Sequence, residues 1–136
     1  MDGKKLYFLF NPTSGKGRIR EHLLEIVDIF TKAGYEVTVH PTQAQGDAQR
    51  LTEELADEYD LIVCSGGDGT LDEVVTGLIR SDSLTPVGYI PAGSTNDFAQ
   101  SLQIPSNMVK AAETVVNGRA FPCDVGAFND DTFIYV

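Results

Sequence analysis

The chain has 136 residues, 42% of them hydrophobic, and a formal net charge of −10. That length suits one core and a single domain, which can itself be part of a larger protein, and the acidic balance excludes binding nucleic acid or an anionic membrane by bulk charge. No apolar run approaches the ~20 residues of a membrane span, and the basic start "KKLYFLFN" is cut off by Asn-Pro before it reaches the length of a signal's apolar region.

The charge is uneven. Residues 1–20 carry five Lys/Arg and one Asp, whereas residues 21–136 carry five Lys/Arg and nineteen Asp/Glu. Cys64 and Cys123 have no His or Cys nearby at zinc spacing, so the pair reads as two small buried hydrophobes in a reducing, cytoplasmic protein.

In chain order, "KLYFLF" is a continuous apolar run stopped by "NPTSG", which predicts a strand buried on both faces and then a loop. Ile19, Leu23, Ile26, Val27 and Phe30 recur at helical spacing, and Gly34 stands at the C-cap. "YEVTVH" alternates as a second strand. Ala48, Leu51, Leu55 and Tyr59 share one face of a second helix. "DLIVC" is a third strand. A third helix carries Leu71, Val74, Val75 and Leu78. "TPVGYIP" is a fourth strand, "STNDFAQSL" a short helix, and Ser106 the cap of another helix carrying Met108, Ala112, Val115 and Val116. "AFPCDVGAF" and "TFIYV" flank the turn "NDD" as a hairpin. Apolar strands alternating with helices imply an α/β, doubly wound, mostly parallel sheet with helices on both faces.

Ligands bind such sheets at the carboxyl ends of the strands. Three polar, glycine-rich loops leave strands at that edge: "NPTSGKGR" (11–18), "SGGDGT" (65–70) and "PAGSTND" (91–97). The first offers free amides before a helix and two cations, Lys16 and Arg18, which suit a phosphate. It is neither a Walker A loop, since Phe10 and Gly17 stand where Gly and Ser/Thr belong, nor a dinucleotide fingerprint, since Arg20 replaces the third glycine. In the second, Gly66 and Gly67 let a ligand approach the backbone. Asp68 presents a carboxylate for a hydroxyl or a bound magnesium. Alternatively it caps the helix, with Asp72 and Glu73 in the first turn complementing the dipole. "DGT" also ends the motif of the aspartate-nucleophile phosphatases, but their nucleophile position is Gly66 here, which cannot attack phosphorus. In the third loop Ser94, Thr95 and Asn96 suit ribose or phosphate. Asp97 and Asp124 are two further acids near the same edge, able with Asp68 to order a hydrated cation.

Together and in this order, "NPTSGK" (11–16), "GGDGTLDEVVTGL" (66–78), "PAGSTNDFA" (91–99) and "DVG" (124–126) resemble the catalytic domain of the diacylglycerol kinase family, especially its soluble bacterial lipid kinases. "GGDGT" alone is shared with NAD kinases and, as a close variant, phosphofructokinases. The resemblance implies an ATP-dependent phosphoryl transfer to a lipid hydroxyl, on a fold like that of those two families. It implies that Asn11, Ser14, Gly15, Lys16 and Thr42 hold nucleotide with Gly66, Gly67, Asp68, Gly69, Thr70, Ser94 and Asn96. It also implies that Asp68, Asp97 and Asp124 share a catalytic network of water and Mg2+. Asp72 departs from a position that is often Asn, and Gln100 from one that is often Arg.

On this reading residues 1–136 are an N-terminal nucleotide-binding domain. The family's second, β-rich domain, which supplies the general base, is absent, and the fragment alone is expected to be inactive. The partners are ATP, Mg2+ and a lipid met transiently at the membrane surface, not nucleic acid; a homodimer stays open. An NAD kinase-like enzyme and a non-catalytic nucleotide-binding or regulatory module are the competing functions.

Overall fold

A computed structural model describes residues 4–92, 107–117, 120–123 and 132–135, with the backbone alone for Lys16, 120–123 and 132–135. A six-stranded sheet forms the centre, in the order β2-β1-β3-β4-β6-β5. Its strands are β1 (Lys4–Phe10), β2 (Tyr35–Pro41), β3 (Leu61–Gly66), β4 (Val87–Pro91), β5 (Ala120–Cys123) and β6 (Thr132–Tyr135). Every pairing is parallel except that of β5 with β6, which is antiparallel, as expected for a hairpin.

The apolar runs are the inner strands. All six residues of β3 and all five of β4 are buried, as a parallel sheet covered on both faces requires. The alternating run is β2, an edge strand half open to solvent.

Helices α1 (Ile19–Lys32), α2 (Asp47–Leu55), α3 (Asp68–Arg80) and α4 (Met108–Asn117) cover the sheet. The step from β1 to β2 runs one way across the sheet, and those from β2 to β3 and β3 to β4 the other. With right-handed crossovers, α1 then lies on one face and α2 and α3 on the other. The packing agrees: α1 contacts α4, and α2 contacts α3. Side chains of β1 divide accordingly. Phe8 meets Phe30 of α1 edge-on at 5.7 Å, whereas Tyr7 packs on Tyr59 at 4.9 Å. Burying a large apolar side chain contributes about 1.5–3 kcal/mol, and Phe8, Phe30, Leu9 and Ile62 are all fully enclosed.

Several local expectations change. The second helix stops at Leu55 and a 3₁₀ turn, Ala56–Glu58, finishes the segment, leaving Tyr59 extended. The third strand runs on to Gly66, so that glycine pairs in the ladder with Pro91 and is not loop. The cap of α4 is Asn107, whose side-chain oxygen accepts the Lys110 amide at 3.0 Å. Ser106 and the short helix expected over 94–102 lie outside the described residues. Gly34 does end α1, at φ +99 and with its amide donating to the Thr31 carbonyl at 3.0 Å.

Candidate nucleotide site

Parallel register brings three loops to one edge. The Asn11 amide donates to the Ser65 carbonyl at 2.9 Å and the Ala92 amide to the Gly66 carbonyl at 2.9 Å. The chain therefore leaves β1, β3 and β4 side by side. A further link joins the first loop to the third. Gly15 has φ +55, and a Cβ there would overlap the Ala92 carbonyl oxygen.

Between these loops and the segment after β2 lies a cleft of about 610 Å³. Asn11, Ser14, Thr42, Gly67, Gly69 and Thr70 line it, six of the residues expected to hold nucleotide. The Asn11 side-chain oxygen accepts the Thr13 amide at 3.0 Å and the Thr13 hydroxyl at 2.9 Å, which closes the turn. The Thr42 amide and hydroxyl both donate to the Phe10 carbonyl, at 2.8 and 3.3 Å, fastening the third wall to the first.

The far wall was not foreseen. Gln43, Ala44, Gln45 and Ala48 also line the cleft, as do Pro12, Thr13 and Glu73. The Gln43 amide donates to the Asp47 carboxylate at 2.7 Å, and this bond holds that carboxyl below its ordinary pKa. Glu73 accepts the Gly46 amide at 3.1 Å, tying α3 to the start of α2. The available signal was helical spacing, since Gly69 and Glu73 are four residues apart on one face.

Helix α3 begins at Asp68 with Gly67 in the N-cap position, and no side chain caps it. Asp68 is therefore not the cap, and it is the sole acid of the first turn. Asp72 and Glu73 lie further along and do not complement the first-turn amides. The Thr70 amide donates to the Gly67 carbonyl at 3.1 Å, and the Asp68 and Gly69 amides ahead of it stand at the positive end of the helix dipole, where they suit an anion.

Asp68 does not line the cleft, although Gly67, Gly69 and Thr70 do. Its carboxylate lies 3.4 Å from the Tyr89 hydroxyl of β4, which also donates to the Gly66 carbonyl at 3.0 Å. Tyr89 is fully buried. Burial, with Cys64 and Asp68 close by, pushes its phenol far above the ordinary value, so it remains a neutral donor. Burial likewise pushes the Cys64 thiol up to about 12, leaving it chemically quiet.

Gly15 and Gly66 stand behind the cleft as packing residues. The Lys16 backbone belongs to the 3₁₀ turn Ser14–Gly17. Ser94, Asn96, Asp97 and Asp124 lie outside the described residues.

Residues 5–128 match the family model described as the diacylglycerol kinase catalytic domain. The chain belongs to that family. A diacylglycerol kinase of Bacillus subtilis (strain 168) is 45% identical over 135 residues, which is 98% of this chain and 45% of that protein. One from Staphylococcus carnosus (strain TM300) is 36% identical over 132 residues, 96% of this chain and 43% of that protein. The crystal structure of a diacylglycerol kinase from Bacillus anthracis superposes with a TM-score of 0.80 at 32% identity, covering 90% of this chain and 45% of that one. The chain thus spans less than half the length of these diacylglycerol kinases. The α/β architecture expected from the sequence is the one these relatives share.

Proposed function

We propose that this chain is the ATP-binding half of a diacylglycerol kinase-like enzyme, which transfers the terminal phosphoryl group of ATP to a lipid hydroxyl. Gly69 carries the reading. It is exposed on the cleft wall in the first turn of α3, and a Cβ built on it meets nothing within 4 Å. The protein itself leaves room there for a backbone-hugging anion.

The phosphates lie against the uncapped first turn of α3, where aligned amides hold charge at fixed positions. Ser14 and Thr70 offer hydroxyls, and Thr42 and the Asn11 amide group line the same space. Lys16 and Arg18 add positive charge from the first loop.

Magnesium fits this chemistry when nucleotide brings it. Among the described residues no three His, Cys, Asp or Glu side chains gather to hold a metal. Asp68 offers one carboxylate, and Mg2+ keeps most of its waters and is held by one or two carboxylates plus phosphates. Asp97 and Asp124 would complete the set. When bound, the metal neutralises charge building on the phosphoryl oxygens. Asp68 would offer its carboxylate from the β4 side of the start of α3, and the α3 amides would orient the phosphates for in-line transfer. On this reading the general base and most of the lipid site belong to the remaining length of the relatives. The enzyme acts transiently at a membrane surface, and among the described residues no helix is long and apolar enough to cross one.

The test is calorimetric titration of the wild type and of the Lys16→Ala, Arg18→Ala double variant. Mg-ATP affinity should fall about tenfold in the variant, a loss of about 1.4 kcal/mol, because charge-assisted hydrogen bonds to phosphate are the strong ones. Adenosine should bind both alike. Equal losses for both ligands would move the loop to the base or ribose, and no loss would remove it from the site.

A further inference from the structure

We propose that Tyr89 is a positioning residue for the Asp68 carboxylate. The inference rests on the nucleotide reading and adds a residue to it. Tyr89 sits in the middle of β4, paired with Cys64 of β3, and its hydroxyl reaches the start of α3. Its hydroxyl reaches two oxygens, the Gly66 carbonyl at 3.0 Å and Asp68 Oδ1 at 3.4 Å. A phenol has one proton to give, so the two acceptors share it.

The Gly66 carbonyl does not need that proton. It already accepts the Ala92 amide at 2.9 Å. The hydroxyl is therefore surplus to the strand ladder, and among the described residues it is the donor that reaches the Asp68 carboxylate. A hydrogen bond to a charged oxygen is roughly twice as strong as one to a neutral oxygen.

The alternative place for the carboxylate is close. At the start of α3 it is within a side chain's length of the first-turn amides, whose positive end of the helix dipole attracts a carboxylate. In that position it would occupy the donors meant for phosphate and repel the anion. Tyr89 holds it on the β4 side, where it faces the strand that leads into the third loop.

A double-mutant cycle tests this. Tyr89→Phe keeps the ring and removes only the hydroxyl, and Asp68→Asn keeps size and removes the charge. Each protein is titrated calorimetrically with Mg-ATP and with ATP in EDTA, and its melting temperature is measured. Tyr89→Phe should weaken Mg-ATP binding about two- to tenfold, the equivalent of one hydrogen bond. In the Asp68→Asn background the same change should have no further effect, and melting should move little because no buried acceptor is left bare. Equal losses in both backgrounds would overturn the proposal, as would a melting shift without a change in affinity. Wild-type protein that fails to bind Mg-ATP would overturn the nucleotide reading itself and this inference with it.

Discussion

Gly66 and Gly69 stand three residues apart in one motif, yet they are glycines for opposite reasons. Gly66 is buried at the end of β3, and a Cβ there would lie 2.5 Å from Thr70 Oγ1 and 2.8 Å from Thr70 Cβ. The fold itself forbids a side chain. Gly69 is exposed, and a Cβ there would meet nothing within 4 Å. Glycine inside a helix costs about 1 kcal/mol relative to alanine, so the fold alone would be more stable with alanine at 69. The strand end and the first helical turn thus answer to different demands. One closes the packing behind the cleft, and the other keeps a surface bare in front of it.

Substitutions can break that contrast. Gly15→Ala should have the largest effect on stability. It places a side chain in the left-handed region at φ +55 and drives it into the Ala92 carbonyl. Left-handed strain and overpacking together amount to about 2–5 kcal/mol, to be read from urea unfolding. A stable Gly15→Ala protein would mean the first and third loops do not depend on this contact.

Gly66→Ala should come next, costing about 1–3 kcal/mol through overpacking alone, since its backbone is ordinary strand. Thr70→Ala should return part of that loss by removing the 2.5 Å contact, while the 2.8 Å contact to Cβ persists. Strict additivity of the two changes would show that Thr70 is not what Gly66 avoids.

Much of this was legible in the sequence. Continuous apolar runs marked β1, β3 and β4, alternation marked β2, and the order of strands and helices set the parallel sheet. Loops at strand ends placed Asn11, Ser14, Gly67, Gly69 and Thr70 at one edge, the family resemblance added Thr42, and all six line one cleft. The two roles of the motif's glycines were not legible. Gly66 and Gly69 are the same letter, and only the ladder pairing with Pro91 and the position of Thr70 separate them. Tyr89 was hidden for a similar reason. "VGYI" says that its ring is buried, but its meeting with Asp68 depends on how far β3 and β4 slide past each other. The bond from Glu73 to the Gly46 amide spans 27 residues and two helices, beyond any local pattern. Gln43 and Gln45 follow an edge strand with no glycine-rich signature.

The central claim is that the bare first turn of α3 exists for a ligand's phosphates. Gly69→Ala tests it most directly, in one protein with two readouts. Thermal melting of the free protein should stay level or rise, by up to about 1 kcal/mol of stability. Calorimetric affinity for Mg-ATP should fall at least about tenfold, equivalent to 1.4 kcal/mol or more, while adenosine binding changes little. Unchanged Mg-ATP affinity in a protein that melts normally would contradict the account.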